Sequence, residues 1–224
     1  MDDTNDLPPT LLFVHTSTSV YKSVRAIWNN LKAMSQLQPR KWTVNITQRV
    51  PRASNRGDHK KPQDSSSILF MRFSDCGTCM LSVNDTQIYQ HSDVIIADEN
   101  IEDIMTQACD LTVRSVWKAQ GQSYRLGDFI VSAGVLERGS LANTAVIELS
   151  YVGGNNCTTT TVNRMYALVE SIVDFNCDEL QAYSGSCDKL AGGAAPPKSC
   201  SDSDVDPYVS QSQRCLLWVD MLQL

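Results

Sequence analysis

Cys76-Gly77-Thr78-Cys79 is the single C-x-x-C in this 224-residue chain, and it is the first place where chemistry could sit. Two thiols at that spacing can supply half of a zinc site or cycle as a redox pair. A closed zinc site needs four ligands, most often from two such pairs. No second pair is present, and the nearest histidine, His91, falls outside the usual spacing. A redox pair would sit where a strand meets a helix, whereas these cysteines fall in a turn between two apolar runs. His15, His59 and His91 are scattered, with no two at i, i+4. Asp202-Ser203-Asp204-Val205-Asp206 opens like a calcium loop, but Pro207 stands at the glycine position and Gln213 at the bidentate glutamate. A metal-binding barrel lumen needs several inward acids at alternate strand positions, and only Glu137 and Glu148 are candidates. Two carboxylates are too few to hold a divalent ion and also position phosphate oxygens. No phosphate-binding loop, dinucleotide fingerprint or nucleophile elbow occurs. The residues therefore predict no catalytic group, no cofactor and no metal.

The elements that would position such groups are legible from periodicity. Apolar residues make up 42% of the chain and charged residues 20%, the composition of a folded domain rather than a disordered one. No apolar stretch approaches the roughly 18–20 residues of a membrane span. Thr10 to His15 reads as a strand. Val20, Val24, Ile27, Leu31 and Met34 then recur at spacings of four and three, one face of a helix over Thr16 to Ser35, with Ser17, Thr18 or Ser19 as its cap. Lys41 to Val50 alternates as a half-buried strand, with Trp42, Val44 and Ile46 on one face. Pro51 to Ser67 is polar and basic, a predicted loop. Ser67 to Phe73 and Thr78 to Val83 form a hairpin around Cys76-Gly77, a short strand is predicted at Ile88 and Tyr89, and Val94 to Ala97 reads as a buried strand. Asp98 to Trp117 reads as a helix with acids in its first turns, where the helix dipole favours them.

Three strands follow at Gly121 to Leu126, Asp128 to Glu137 and Asn143 to Val152, then a helix carrying Val162, Met165, Val169 and Ile172. The predicted organisation is an acidic flexible leader at 1–9, a barrel-like α+β domain at 10–175, a mobile Gly/Pro/Ser/Asp-rich loop at 176–206 and a C-terminal helix at 207–224. The fold class is α+β: a mainly antiparallel β-sheet closing into a barrel-like structure, flanked by about four helices. Closure would remove the exposed edges of so many short strands.

Net charge is −6, which argues against a general nucleic-acid coat. The charge is uneven: Arg40 to Lys61 carries seven basic residues and one acid, Asp58, a solvated segment or a docking patch for an acidic partner. The polar, acidic start lacks the basic and apolar regions of an export signal. The eight cysteines, several of them in apolar runs, are accordingly expected to be reduced thiols in the cytosol or nucleus, not the staples of a secreted binder.

The run from Asp93 to Val152 resembles subunit 20 of the Mediator complex, the TATA-binding-protein-related subunit of the head module. The resemblance lies in order. Val94-Ile95-Ile96-Ala97-Asp98 precedes an acidic-start helix with Ile101 and Met105; Tyr124-Arg125-Leu126-Gly127-Asp128-Phe129-Ile130-Val131 continues through Gly134 and Val135; Gly139 precedes Val146-Ile147-Glu148-Leu149-Ser150-Tyr151. The resemblance implies a barrel-like fold and a non-enzymatic, nuclear scaffold subunit of the coactivator that serves RNA polymerase II. Its implied partners are the subunit 18 barrel and the C-terminal part of subunit 8, with TATA-binding protein as a further contact, and neither sequence-specific nucleic acid nor membrane. Trp117, Leu216, Leu217, Trp218 and Leu222 are the candidate interface anchors. The alternative weighed against this is an enzyme, such as a phosphohydrolase, with its site in a barrel lumen.

Overall fold

The computed structural model describes residues 10–52, 67–83, 94–139, 141–153, 159–175, 179–184 and 207–222. In chain order these form β1 (Thr10–Thr16), α1 (Val20–Met34), β2 (Arg40–Pro51), β3 (Ser67–Phe73), β4 (Thr78–Val83), β5 (Val94–Ala97), α2 (Ile101–Ala108), β6 (Leu111–Leu126), β7 (Phe129–Arg138), β8 (Leu141–Tyr151), α3 (Thr159–Ile172), β9 (Gln181–Ser184) and α4 (Pro207–Leu222). The strands make one nine-stranded sheet in the order β5-β4-β3-β2-β6-β7-β8-β1-β9. Every neighbouring pair is antiparallel. The fold is thus α+β with four helices among the described residues.

Alternation fixes the two faces of this sheet. Trp42, Val44 and Ile46 of β2 pack with Trp117 and Ala119 of β6, Leu136 of β7 and Val146 of β8 in one buried cluster. The intervening Val131, Ala133, Ile147 and Leu149 point the other way, into a second cluster with Ile27 and Leu31 of α1 and Met165, Val169 and Ile172 of α3. The predicted stripe of α1 is buried at Val20, Val24, Ile27 and Leu31, each such side chain stabilising by about 1.5–3 kcal/mol. Met34, expected on the same stripe, is exposed at the last turn. Ser19 occupies the N-cap without a side-chain hydrogen bond; its carbonyl accepts from the Lys22 and Ser23 amides instead.

The expected barrel does not close. The end strands β5 and β9 are not paired with each other; α4 touches both, and β1 as well. Nine strands laid flat would span about 38 Å at about 4.8 Å per step. A sixteen-residue helix is about 24 Å long and about 10 Å wide. Contact with both ends of the sheet therefore requires the sheet to curl around α4, which stands in the seam that hydrogen bonds would otherwise close. Gly121 and Gly134, opposite one another in β6 and β7, permit a close approach: a Cβ on Gly134 would lie 2.3 Å from the Gln120 carbonyl oxygen. Paired strand glycines of this kind mark tight bends.

Three further expectations are corrected. The helix predicted from Asp98 to Trp117 ends at Ala108; Asp110 adopts a left-handed conformation (φ 46°) and β6 begins at Leu111. Thr112, Ser115 and Val116, inside that predicted helix, are strand residues paired with β2. β-branched and aromatic side chains suit a pleated surface, and pairing with β2 outweighs the weaker helical period. The strand Val94 to Ala97 forms as β5, but at the sheet edge, where Ile95 is 49% exposed. Within the stretch read as a loop from 176 to 206, Gln181–Ser184 forms β9 against β1. The leader, the strand at Ile88 and Tyr89 and the calcium-like run all lie outside the described residues.

Candidate functional site

Two places in the fold gather groups that could act. The first lies inside the curl. α4 presents Arg214 to the sheet, and the residue is 8% exposed. Its Nη2 is 2.6 Å from Glu148 Oε1, and its Nη1 donates to both carboxylate oxygens of Asp75, at 2.9 and 3.0 Å. The guanidinium carbon lies 4.2 Å from the Phe73 ring centroid, a cation–π contact. Glu148 Oε2 accepts from the Trp218 indole at 2.9 Å, so both carboxylate oxygens of a residue 3% exposed are satisfied. Burial works to lower the Arg214 pKa; the Glu148 and Asp75 carboxylates more than offset it, and the group lies above its ordinary value. The two carboxylates thus hold Arg214 in its charged form.

Three thiols surround this pair. Arg214 Nη1 is 3.3 Å from Cys76 Sγ. Burial pushes Cys76 up to about 11, against the lowering influence of Arg214. Cys79 and Cys215 share a hydrogen bond, which lowers Cys79 against the opposing effect of burial; burial chiefly, and then that bond, raises Cys215. Of the C-x-x-C, Cys76 and Gly77 lie in the turn between β3 and β4, while Thr78 and Cys79 open strand β4. Cys76, Cys79, Cys109 and Cys215 are free thiols. Among the described residues no three His, Cys, Asp or Glu side chains are placed to share a metal ion. A buried thiol whose pKa is raised is a poor nucleophile. The cluster packs α4 against the sheet.

The two inward acids expected from the sequence separate. Glu148 faces the interior, while Glu137 lies on the other face, where Tyr21 Oη and Gln120 Nε2 donate to it at 3.4 and 3.3 Å. Arg214, the partner that decides what Glu148 does, was not anticipated. The signal was present: each charge stands alone in an apolar run, Val146-Ile147-Glu148-Leu149 and Arg214-Cys215-Leu216-Leu217-Trp218. His15 is buried, stacked on Phe175 at 4.1 Å, with Nδ1 3.7 Å from Glu179, a packing role. Of the expected interface anchors, Trp117, Leu217 and Trp218 are buried in the chain's own core. Leu216 and Leu222 are half-buried.

The second place is a sheet edge. β6 pairs with β2 along Leu111 to Ser123, but with β7 only from Trp117 onward. Leu111 to Val116 therefore has no partner strand on its other side among the described residues. Val113 and Val116 are 52% and 47% exposed there. An open strand edge with exposed β-branched side chains is a template for strand addition. The sequence concealed it because this stretch reads as helix.

No family model matches the chain, and no curated protein matches its sequence. The sheet and its helices are similar to several solved structures. A chain of the Schizosaccharomyces pombe Mediator head module aligns over 74% of this chain and 96% of its own, with TM-score 0.43 and 9% identity. A conserved hypothetical protein from Pyrococcus furiosus aligns over 77% and 94%, with TM-score 0.41 and 6% identity. A provisionally named adenylate cyclase from Vibrio parahaemolyticus aligns over 74% and 88%, with TM-score 0.42 and 9% identity. All three TM-scores fall below 0.5, and none of these likenesses decides between the functions their names carry.

Proposed function

We propose that this chain is a non-enzymatic scaffold subunit of a Mediator-type coactivator complex, working in the nucleus in transcription by RNA polymerase II. The observation that carries the reading is the open edge of β6 from Leu111 to Val116, with Val113 and Val116 turned to solvent. That edge suits pairing with another sheet-rich subunit. It joins the ordered resemblance of Asp93 to Val152 to the subunit 20 family. The interior supports the same reading from the other side, since α4 occupies the place where a lumen enzyme would hold its substrate, and Arg214 and Glu148 neutralise each other there. The proposed partner is the subunit 18 barrel, with the C-terminal part of subunit 8 tethering the pair and TATA-binding protein as a further contact.

Co-expression with the subunit 18 homologue tests this. The expected result is a stoichiometric complex that survives size-exclusion chromatography in mild salt. Val113→Lys with Val116→Lys should abolish it while leaving the thermal transition of the free chain unchanged, because charges on an edge block strand pairing. Absence of a complex with the wild-type chain would overturn the reading; a complex indifferent to the double substitution would move the interface away from β6.

A further inference from the structure

A groove runs between α1 and the convex face of the sheet, at the end of β6 opposite to its open edge. Its outer part encloses about 550 Å³ and its inner part about 260 Å³; Tyr21, Trp28 and Gln122 line both. Three cations face it: Arg25 and Lys32 in the outer part, Lys41 in the inner. All three are exposed. None has an ion-pair partner among the described residues. Among the described residues no acid lines either part; Glu137 accepts from Tyr21 and Gln120 at the inner wall. In a chain of net charge −6 this is a local reversal of sign. Trp28 is fixed by its indole donating to the Ala133 carbonyl at 2.8 Å, so one aromatic wall of the groove is rigid before anything binds.

We infer that this groove is a docking site for an acidic peptide segment of a partner protein that carries an aromatic or large apolar side chain. The charge complementarity gives the sign of the partner: three unneutralised cations attract carboxylates, and each exposed contact is individually weak. The ring faces give the second requirement, because a purely charged ligand would leave Tyr21 and Trp28 unused while an apolar side chain is desolvated against them. A nucleic acid fits less well, since the chain's overall negative charge repels a long polyanion and three cations neutralise few phosphates. This site is separate from the proposed β6 edge and does not depend on the identity of any complex.

The test is fluorescence anisotropy on the full chain with a labelled synthetic peptide of Asp and Glu residues flanking one Trp and one Leu. Three comparison probes accompany it: the same peptide with Asn and Gln for the acids, the same with Ser for Trp and Leu, and an oligothymidine. The acidic aromatic peptide should bind, weakening as salt is raised, and each altered peptide should bind less tightly. Arg25→Glu, Lys32→Glu and Lys41→Glu together should weaken binding about tenfold or more. Matched thermal melts would show that the triple variant is folded. The inference is overturned if the acidic peptide does not bind, if the triple variant binds it equally well, or if oligothymidine binds more tightly. Because the open edge of β6 is untouched by these changes, failure here leaves complex formation with a barrel partner as a separate question.

Discussion

On the concave side of the sheet, α4 is held by an ion pair, an indole hydrogen bond and two buried thiols set inside an apolar cluster. On the convex side, α1 and α3 are held by apolar packing, with hydrogen bonds from Trp28 and Asn30 to the Ala133 and Ile172 carbonyls at the rim. The difference is one of specificity. Apolar stripes tolerate small slides, whereas Arg214 can meet Glu148 and Asp75 in only one register of α4. A buried ion pair adds little net stability over a well-packed apolar pair, because desolvating two charges offsets most of their attraction. What it does is penalise every misplaced arrangement, in which a charge would be buried alone.

The sharpest way to break this comparison is Arg214→Met. It leaves Glu148 charged and buried with only the Trp218 indole, and should cost about 3–5 kcal/mol in urea denaturation. The double variant Arg214→Met with Glu148→Leu should recover most of that loss, since no charge then remains inside. If the single and double variants are equally unstable, the pair contributes ordinary stability and the concave face is no different in kind from the convex one.

On the convex side the corresponding change is milder. Trp28→Phe removes the indole donor from the Ala133 carbonyl but keeps a ring against the sheet, and should cost about 1 kcal/mol. It should show no rescue by a second substitution and no new dependence on pH, because no charge is stranded. A loss as large as that of Arg214→Met would mean that the rim hydrogen bonds, not the apolar stripe, fix α1.

How far the sequence discloses this contrast follows from what it encodes locally. Helix α1, the hairpin β3–β4 and strands β7 and β8 are visible because their period is clean and their boundaries carry Gly or polar turns, such as Gly127 and Gly139 with φ near +60°. The reading fails where two periods compete. From Ile101 to Val116 apolar and small residues fit a helical stripe, yet the partner β2, some sixty residues earlier, decides the second half. The open edge of β6 was lost with it. The curl, too, is a long-range property: it depends on α4 meeting β5 and β9 at once, and no local window contains those three elements. Arg214 and Glu148 were readable as misplaced charges but not as a pair.

The last prediction concerns the thiol beside that pair. Burial holds Cys76 near 11 against an ordinary value of 9.0, with Arg214 pulling it down and Asp75, Cys79 and Glu148 pushing it up. Between those two values the folded chain keeps a proton that the unfolded chain has released. The stability tied to Cys76 is therefore fully present below pH 9 and is lost as the pH rises through about 11. Cys215 and Tyr124 are also raised, chiefly by burial, and act in the same direction, while the lowered Cys79 acts against them. The urea midpoint should fall over this interval, and Cys76→Ser should make the fall shallower without removing it. A midpoint that holds steady or rises with pH would mean that the Cys76 thiolate is tolerated beside Arg214, and the concave site would then be a place where the fixed cation stabilises a second anion, not a sealed pair.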